Sequence, residues 1–161
     1  MLPELSLNIL DIAENSVKAG AHTVWIDVLR QGAGHTLTIR VKDDGCGMDE
    51  AQLARVTDPF FTSRKTRKVG LGVPFLKQAA EITGGSFRIE SAPGQGTLTE
   101  AIFREDSIDC MPLGNVCDSI SSLILMNEGL RFVYRYRVDD TEFVLDTQSL
   151  HEELGPEVSL Q

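Results

Sequence analysis

The sequence predicts an α+β domain, because one long helical stretch precedes several segments whose apolar residues alternate. The stretch from Leu5 to Ala21 carries apolar residues at helical spacing and a separate polar arc. The segments Thr23 to Arg30 and His35 to Lys42 alternate residue by residue, and a turn with two glycines joins them. This pattern predicts an antiparallel hairpin.

Composition places the chain among soluble globular domains. It has 161 residues, of which 42% are hydrophobic and 24% charged, enough for one domain with a real core. A net charge of −9 argues against a general nucleic-acid binder. We expect no membrane span and no secretory signal, because no apolar run is long enough and the N-terminus lacks a basic lead-in. Cys46, Cys110 and Cys117 suggest free thiols in a reducing cytoplasm rather than a disulfide framework or a metal site.

The first predicted helix carries an unusual polar arc, which combines two carboxamides, one carboxylate and one amine. Its members are Asn8, Asp11, Asn15 and Lys18. A surface helix normally directs such an arc to water. Asp11 and Asn15 are four residues apart, so both side chains can reach one ion or one ligand.

A glycine-rich turn follows the second strand directly. Asp43 stands at the strand end, and Gly45 and Gly47 follow it. Glycines allow a backbone to approach a ligand closely, and a carboxylate accepts hydrogen bonds from an exocyclic amine or a ring N–H. A solvated Asp-Gly turn is the alternative.

Asp49 to Val56 is predicted as a short helix, and a run of cations follows it, made of Arg64, Lys65, Arg67 and Lys68. Such a run is usually a solvated loop. This one leads into Gly70-Leu71-Gly72, immediately before a predicted helix from Pro74 to Thr83. A glycine-rich turn at a helix N-terminus favours a phosphate, because free N–H groups and the helix dipole both attract an anion. Two further strands, Ser86 to Glu90 and Thr97 to Arg104, flank a turn that contains Gly94 and Gly96.

Taken in order, these segments resemble the GHKL ATP-binding fold of type II topoisomerases, heat-shock chaperones, histidine kinases and mismatch-repair ATPases. The matching blocks are the N-box at Asn15, the first glycine box at Asp43 to Gly47, the F-box at Asp58 to Thr62, the second glycine box at Gly70 to Gly72 and the third at Gly94 to Thr97. The resemblance covers about residues 5 to 104 and is closest to the histidine-kinase catalytic domain. It implies a two-layer α/β sandwich of the Bergerat type, with a mixed, mostly antiparallel sheet covered on one face by helices. A C-terminal strand-hairpin extension is predicted from the residue pattern after residue 104.

The resemblance also implies ATP and Mg²⁺ as cofactors and assigns roles within the matching motifs. Asn15 would hold Mg²⁺, Asp43 would accept a hydrogen bond from the adenine amino group, and Thr97 would assist in the adenine pocket. Gly45 and Gly47 would let the base pack against backbone. The other nucleotide-binding residues would be Lys18, Phe60, Thr62, Arg64, Lys65, Gly70, Leu71 and Gly72, with the cationic residues forming a mobile lid.

Two departures from the family pattern bear on mechanism. ATPases of this fold usually carry a glutamate as general base where this chain has Asp11, one methylene shorter, so we expect slow turnover. The helical hairpin that bears the acceptor histidine is not seen ahead of the ATP domain, since His22 falls in a turn and His35 in a strand. His151 has the spacing of an acceptor motif, but Gly155-Pro156 would break the helix it needs, and we read it as a coincidence.

We divide the chain into an ATP-binding domain, residues 1–104, and an extension, residues 105–161. The extension contains an amphipathic helix from about Val116, a strand from Arg131 to Val138, a returning strand from Thr141 to Leu145, and a last short helix from Gln148 to Leu154. The hairpin either extends the core or forms a docking or dimerisation element, and its aromatic and arginine residues favour the second interpretation.

Three hypotheses for function follow. The first is an ATP-binding protein that phosphorylates a separate, unidentified partner protein or hydrolyses ATP slowly, with Asp11 as its catalytic residue. The second is a non-enzymatic sensor in which ATP changes the binding of a partner. The third, an interaction module with a degenerate pocket, conflicts with the intact Asn15 and Asp43. A homodimer is a further expectation, whereas neither nucleic acid nor a membrane is expected as a partner.

Overall fold

The computed structural model of the chain describes residues 4–58 and 72–149. In these residues the elements are, in chain order, α1 (Leu5–Lys18), β1 (Thr23–Gln31), β2 (Thr36–Asp43), α2 (Glu50–Val56), α3 (Gly72–Ile82), β3 (Ser86–Ser91), β4 (Thr97–Arg104), α4 (Val116–Met126), β5 (Arg131–Val138) and β6 (Thr141–Asp146). Residues 147–149 are helical, and the rest of the predicted last helix lies outside the described residues. No helix in this part of the chain is both long enough and apolar enough to span a bilayer.

The strands form one six-stranded sheet in the order β3-β4-β2-β1-β5-β6. Every neighbouring pair is antiparallel except β1 and β5, which are parallel. The predicted hairpin of β1 and β2 is confirmed, with its register running from Val24 opposite Asp43 to Gln31 opposite Thr36. The sheet confirms the α+β class with a mixed, mostly antiparallel arrangement.

The core lies between one face of the sheet and the helices. On β1 and β2 every second residue from Val24 and from Leu37 is buried, so these side chains share one face. The largest fully buried side chains include Phe103 of β4, Phe132 of β5 and Leu5 of α1. Helix α1 packs beside both α3 and α4, which makes it the central helix of this layer.

The position of α1 corrects one expectation about its polar arc. The sequence placed Asn8 on the polar arc, opposite the apolar one, but it is buried, and its Nδ2 has no hydrogen-bond partner among residues 4–58 and 72–149. Because α3 and α4 flank α1, the solvent-facing sector of the helix is narrower than sequence periodicity implies. The exposed members of the arc are Asp11 and Lys18, while Asn15 is half-buried.

The residues after β4 share the sheet and the core of the preceding ones. Strand β5 pairs with β1 along its whole length, and Phe132 and Tyr134 are buried in the common core. The backbone N–H groups of Leu5 and Ser6 donate to the carbonyls of Pro112 and Leu113, at 2.9 and 2.8 Å. The hairpin therefore extends the core sheet, which is one of the two interpretations left open by the sequence. The docking or dimerisation role of residues 105–161 and the domain division at residue 104 stay predictions.

The face of the sheet opposite the helices carries a row of alternating charges that crosses all six strands. In strand order its members are Arg88, Glu100, Arg40, Asp27, Arg135 and Glu142. Arg40 pairs with Glu100 at 2.8 Å and with Asp27 at 3.2 Å. Opposite charges on adjacent strands stabilise pairing and fix register. The positive and negative charges of this row therefore compensate one another within the sheet.

Candidate functional site

Asp43 is a buried carboxylate at the C-terminal end of β2. Its Oδ2 accepts a hydrogen bond from the Ser16 hydroxyl at 2.6 Å, and its Oδ1 accepts one from the Gly45 N–H at 2.8 Å. A carboxylate offers about four lone-pair positions, so these two bonds leave acceptor capacity on both oxygens. The side chain is held in one orientation from two sides and can still accept a hydrogen bond from a ligand.

Asp43 is one of the residues that line a cleft of about 420 Å³ at the end of the sheet. The cleft is lined by Lys42, Asp43, Glu90, Ser91, Ala92, Gln95, Gly96, Thr97 and Leu98. Asp43 and Thr97 stand directly opposite each other in the register of β2 and β4. Two residues that lie far apart in sequence and were predicted to share one pocket are thus neighbours in space.

Two glycines are required where the loops of this cleft meet. Gly47 and Gly96 have φ of +69° and +75°, in the left-handed region that disfavours other residues. A Cβ on Gly47 would overlap the Ala92 carbonyl oxygen, and one on Gly96 would overlap the Asp43 carbonyl oxygen. These glycines let the loops of the cleft pack against each other. Close approach of a ligand base to Gly45 and Gly47 remains a prediction.

Backbone hydrogen bonds fix the loop after β2 in this position. The Cys46 N–H donates to the Ala19 carbonyl at 2.9 Å, and the Cys46 carbonyl accepts from the Gly94 N–H at 2.7 Å. The Met48 N–H donates to the Ser91 hydroxyl at 2.8 Å. The loop thereby joins the end of α1 to the turn between β3 and β4, and these bonds hold the walls of the cleft together.

The neighbouring carboxylate, Asp44, has a structural part instead. Its Oδ1 accepts hydrogen bonds from the N–H groups of His22 and Thr23, at 2.7 and 3.0 Å. The bond from Thr23 is the main cause that lowers the pKa of Asp44. Asp44 therefore stabilises the turn between α1 and β1, whereas Asp43 lines the cleft.

The polar arc of α1 carries three of the predicted site residues, Asp11, Asn15 and Lys18. No hydrogen bond from any other described residue reaches the half-buried Asn15 carboxamide, so its oxygen is available to a cation. Gly72, the first residue of α3, lies against Asp11, since a Cβ added there would sit 3.2 Å from the Asp11 Cβ. The start of α3, where N–H groups are free of intrahelical bonds, therefore lies beside the arc.

The Asp11 carboxyl has a raised pKa. Although the residue keeps an exposed surface, nearby protein atoms withhold water from the carboxyl, and this burial is the main cause. The neighbouring Glu14 charge raises the pKa further. A carboxylate with a raised pKa is a better proton acceptor than an ordinary aspartate.

Several predicted site residues cannot be placed. Phe60, Thr62, Arg64, Lys65, Gly70 and Leu71 all lie outside the described residues. Lys18 is exposed in the last turn of α1, where a cation also favours the helix dipole. The structure thus groups Asp43 with Thr97 at the cleft, and Asp11 with Gly72 beside Asn15.

The sequence model of the family described as "Histidine kinase-, DNA gyrase B-, and HSP90-like ATPase" matches residues 2–107. The chain belongs to this family. It is a GHKL ATPase domain, which supports ATP binding.

Curated relatives match parts of this GHKL chain. The "Putative sensor protein" of Shewanella frigidimarina is 33% identical over 103 residues, covering 63% of this chain and 15% of that protein. The "Sensor protein kinase FleS" of Pseudomonas aeruginosa is 36% identical over 94 residues, covering 58% of this chain and 23% of that protein. The "Probable C4-dicarboxylate sensor kinase" of Bacillus subtilis is 32% identical over 78 residues, covering 48% of this chain and 15% of that protein. The chain therefore spans less than a quarter of the length of these relatives.

A solved structure supports the fold. The structure "Aquifex aeolicus MutL ATPase domain complexed with ADP" superposes with a TM-score of 0.55 and 17% identity. The superposition covers 92% of this chain and 66% of the MutL chain. The similarity extends beyond the family match, so the sheet that includes the C-terminal hairpin has a counterpart in another GHKL protein.

One residue of the GHKL cleft was missed by sequence reasoning. Ser16 lies on the apolar arc of α1 and was assigned to the core, yet its hydroxyl orients Asp43. The available signal was a small polar residue on a buried helix face directly after Asn15, because a buried hydroxyl must find a partner.

The substitution Ser16→Ala should lower the free energy of unfolding by about 1.5–3 kcal/mol, the range for a hydrogen bond to a charged group. It should also weaken ATP binding roughly tenfold, since the Asp43 carboxylate loses one of its two supports. Ser119→Ala is the matched control, because that buried hydroxyl donates to the neutral Ser6 carbonyl at 2.9 Å, far from Asp43. Urea unfolding and calorimetric titration with ATP measure both effects. Equal losses of ATP affinity in the two variants would contradict the assignment.

Proposed function

We propose that this GHKL domain binds Mg-ATP, with the adenine at Asp43 and the phosphates between α1 and the start of α3. The bound nucleotide then serves to phosphorylate a separate protein or is hydrolysed slowly. The observation that carries the proposal is the buried, doubly supported Asp43 carboxylate, which keeps acceptor capacity toward a cleft that it shares with Thr97.

The residues at the cleft fit both cofactors. Mg²⁺ prefers oxygen ligands, and the Asn15 carboxamide oxygen is free of hydrogen bonds from other described residues. Residues 4–58 and 72–149 contain no cluster of three or more His, Cys, Asp or Glu side chains that could hold a metal ion. Phosphate oxygens and water would therefore complete the magnesium shell, as is common for this ion. The magnesium would neutralise phosphate charge.

The side chains have distinct chemical tasks in this scheme. Asp43 accepts the hydrogen bond of the exocyclic amine, and N–H groups at the start of α3 attract the phosphates. In hydrolysis Asp11 accepts a proton from the attacking water, so that ATP and water give ADP and inorganic phosphate. In transfer, a side chain of the partner protein takes the γ-phosphoryl group and no water is activated. The names of the relatives, two of which are sensor kinases, support transfer.

A non-enzymatic, ATP-responsive regulator is the second candidate. It is favoured by Asp11, whose side chain is one methylene shorter than the glutamate that the family resemblance leads one to expect at the base position. In this version the nucleotide changes the affinity for a partner protein without being consumed. A cytoplasmic location fits either version and belongs to the proposal.

Two assays test the proposal in sequence. Mg-ATP should raise the thermal unfolding midpoint, because a ligand at 100 times its Kd stabilises a fold by about 2.7 kcal/mol, and Mg-GTP should not. γ-Labelled ATP then separates the versions, since hydrolysis gives free phosphate, transfer places the label on a partner protein supplied in a cell extract, and regulation gives neither. An unchanged midpoint with Mg-ATP would rule out all versions.

A further inference from the structure

The two edges of the sheet differ in how they are protected. On β3 the exposed residues are the polar Ser86, Arg88 and Glu90, and α3 packs against this strand. On β6 the exposed residues include Phe143 and Val144, each 54% exposed. Edge strands are normally shielded by charge, proline or a covering element, and an apolar edge invites another strand.

Two hydrogen bonds establish which way the backbone groups of β5 point. The N–H of Asp139, the residue after β5, donates to the Arg30 carbonyl on the β1 side at 2.9 Å. The N–H of Phe132 donates in the other direction, to the Thr147 hydroxyl just beyond β6, at 2.9 Å. Odd-numbered residues of β5 therefore face β1, and even-numbered residues face β6.

This alternation determines which backbone N–H and C=O groups of β6 point away from β5. Tyr136 faces β6 and is paired with Phe143, so Phe143 directs its backbone groups inward to β5. The flanking residues Glu142 and Val144 consequently direct their N–H and C=O groups outward. Among residues 4–58 and 72–149, no strand occupies that side of β6. The outer edge thus presents free donors and acceptors beside two exposed apolar side chains.

We propose that this edge is a self-association surface on which β6 of a second copy adds as an antiparallel strand. The symmetric register that fits places Phe143 opposite Phe143 of the other copy, with Glu142 opposite Val144 and Thr141 opposite Leu145. A two-fold axis perpendicular to the sheet keeps both helix layers on the same side, which matches the side-chain alternation of the two strands. The two copies then share one continuous sheet.

Charge selects this register over its neighbours. A two-fold axis at Val144 would place Glu142 opposite Asp146, and an axis at Glu142 would place that carboxylate opposite itself. Like charges directly opposite each other are destabilising. In the Phe143 register the two symmetry-related acidic pairs join Asp140 and Asp146. Arg131 holds Asp146 by two bonds, at 3.0 and 2.6 Å, whereas the contact of Glu142 with Arg135 is longer, at 3.5 Å. Of the three registers compared, this one leaves Glu142 without a like charge opposite it, which is why a second copy is the occupant.

Salt dependence separates a second copy from a different partner. Each chain carries a net charge of −9, so two copies repel at long range. Salt screens this repulsion, and self-association should strengthen with added NaCl. A cationic segment of another protein would show the opposite dependence.

Sedimentation equilibrium of the full chain at rising concentration tests the proposal. The average mass should rise from 17.7 kDa toward twice that value, more readily at high NaCl. Val144→Glu should keep the mass of one chain, because it places a carboxylate directly opposite Glu142 of the other copy. Val144→Pro should do the same, because it removes an outward N–H without breaking a bond to β5. Ile108→Glu, which makes the same change in charge at a loop residue that is 98% exposed, should associate like the wild type.

Amide hydrogen exchange of the wild type gives a readout that does not depend on the folding of any variant. The N–H groups of Glu142 and Val144 should exchange more slowly at protein concentrations where the dimer forms. A wild type that keeps the mass of one chain throughout overturns the proposal. Dimers that persist in both folded Val144 variants, or that leave these two amides unprotected, also overturn it.

Discussion

Asp43→Asn should weaken ATP binding by at least about a hundredfold, which corresponds to about 2.7 kcal/mol. The Asp43 carboxylate accepts from Ser16 and Gly45 and still has lone pairs for an adenine amine. An asparagine has one oxygen and one NH₂ group, so at least one of the three donors, the Ser16 hydroxyl, the Gly45 N–H or the bound amine, would face an NH₂ group. A buried donor left without an acceptor costs about 1–3 kcal/mol, and the charge-assisted bond to the ligand is lost as well. Calorimetric titration with a non-hydrolysable ATP analogue measures the change.

Asp44→Asn is the matched control for this prediction. The two carboxylates are adjacent, yet Asp44 accepts only from backbone N–H groups at His22 and Thr23 through one oxygen, Oδ1. An asparagine carbonyl oxygen can accept the same bonds, so the ATP affinity should change by less than about threefold. Thermal unfolding without nucleotide shows whether either variant has lost its fold. Equal loss of affinity in both folded variants would mean that loop integrity, and not base recognition, controls binding.

The central sheet was largely predictable because each strand buries only one face. The alternation in β1 and β2 gave both strands and their antiparallel pairing, and the bounds of β4 coincide with the predicted Thr97 to Arg104. The glycine spacing indicated loops with special backbone geometry, since Gly47 and Gly96 occupy positions that tolerate no side chain, but the contacts that require them are between loops and the predicted approach of a ligand stays a prediction. These features depend on residues near in sequence, for which local patterns are informative.

Features that depend on distant packing were not predictable in the same way. The parallel pairing of β1 with β5 joins residues more than a hundred positions apart, and no local pattern specifies it. Asn8 became buried because two helices from later in the chain flank α1. Ser16 looked like a core residue because periodicity identifies a buried face but not the buried carboxylate that the face meets.

Replacing Asp11 should change the stability of the fold and the rate of hydrolysis in opposite directions. Its folded-state pKa is raised above the ordinary value of 3.8, so the folded state binds a proton more readily than the unfolded state. The stability contributed by the protonated carboxyl is complete below about pH 3.8 and is lost as the pH rises through the raised value. At neutral pH Asp11→Asn should therefore unfold at a higher temperature than the wild type, and this difference should shrink in acid.

Hydrolysis should change in the other direction, because Asn cannot accept the proton of the attacking water. Asp11→Asn should lower the rate of phosphate release about 10²–10⁴-fold while ATP affinity stays nearly unchanged. In the wild type the rate should fall as the pH drops through the raised pKa of Asp11 and stay level above it.

Asp11→Glu adds the missing methylene and should raise the rate, since the carboxylate then reaches closer to the water. Phosphoryl transfer to a partner protein activates no water, so it should survive Asp11→Asn. A variant that keeps wild-type phosphate release would show that Asp11 is not the base, whatever its effect on stability.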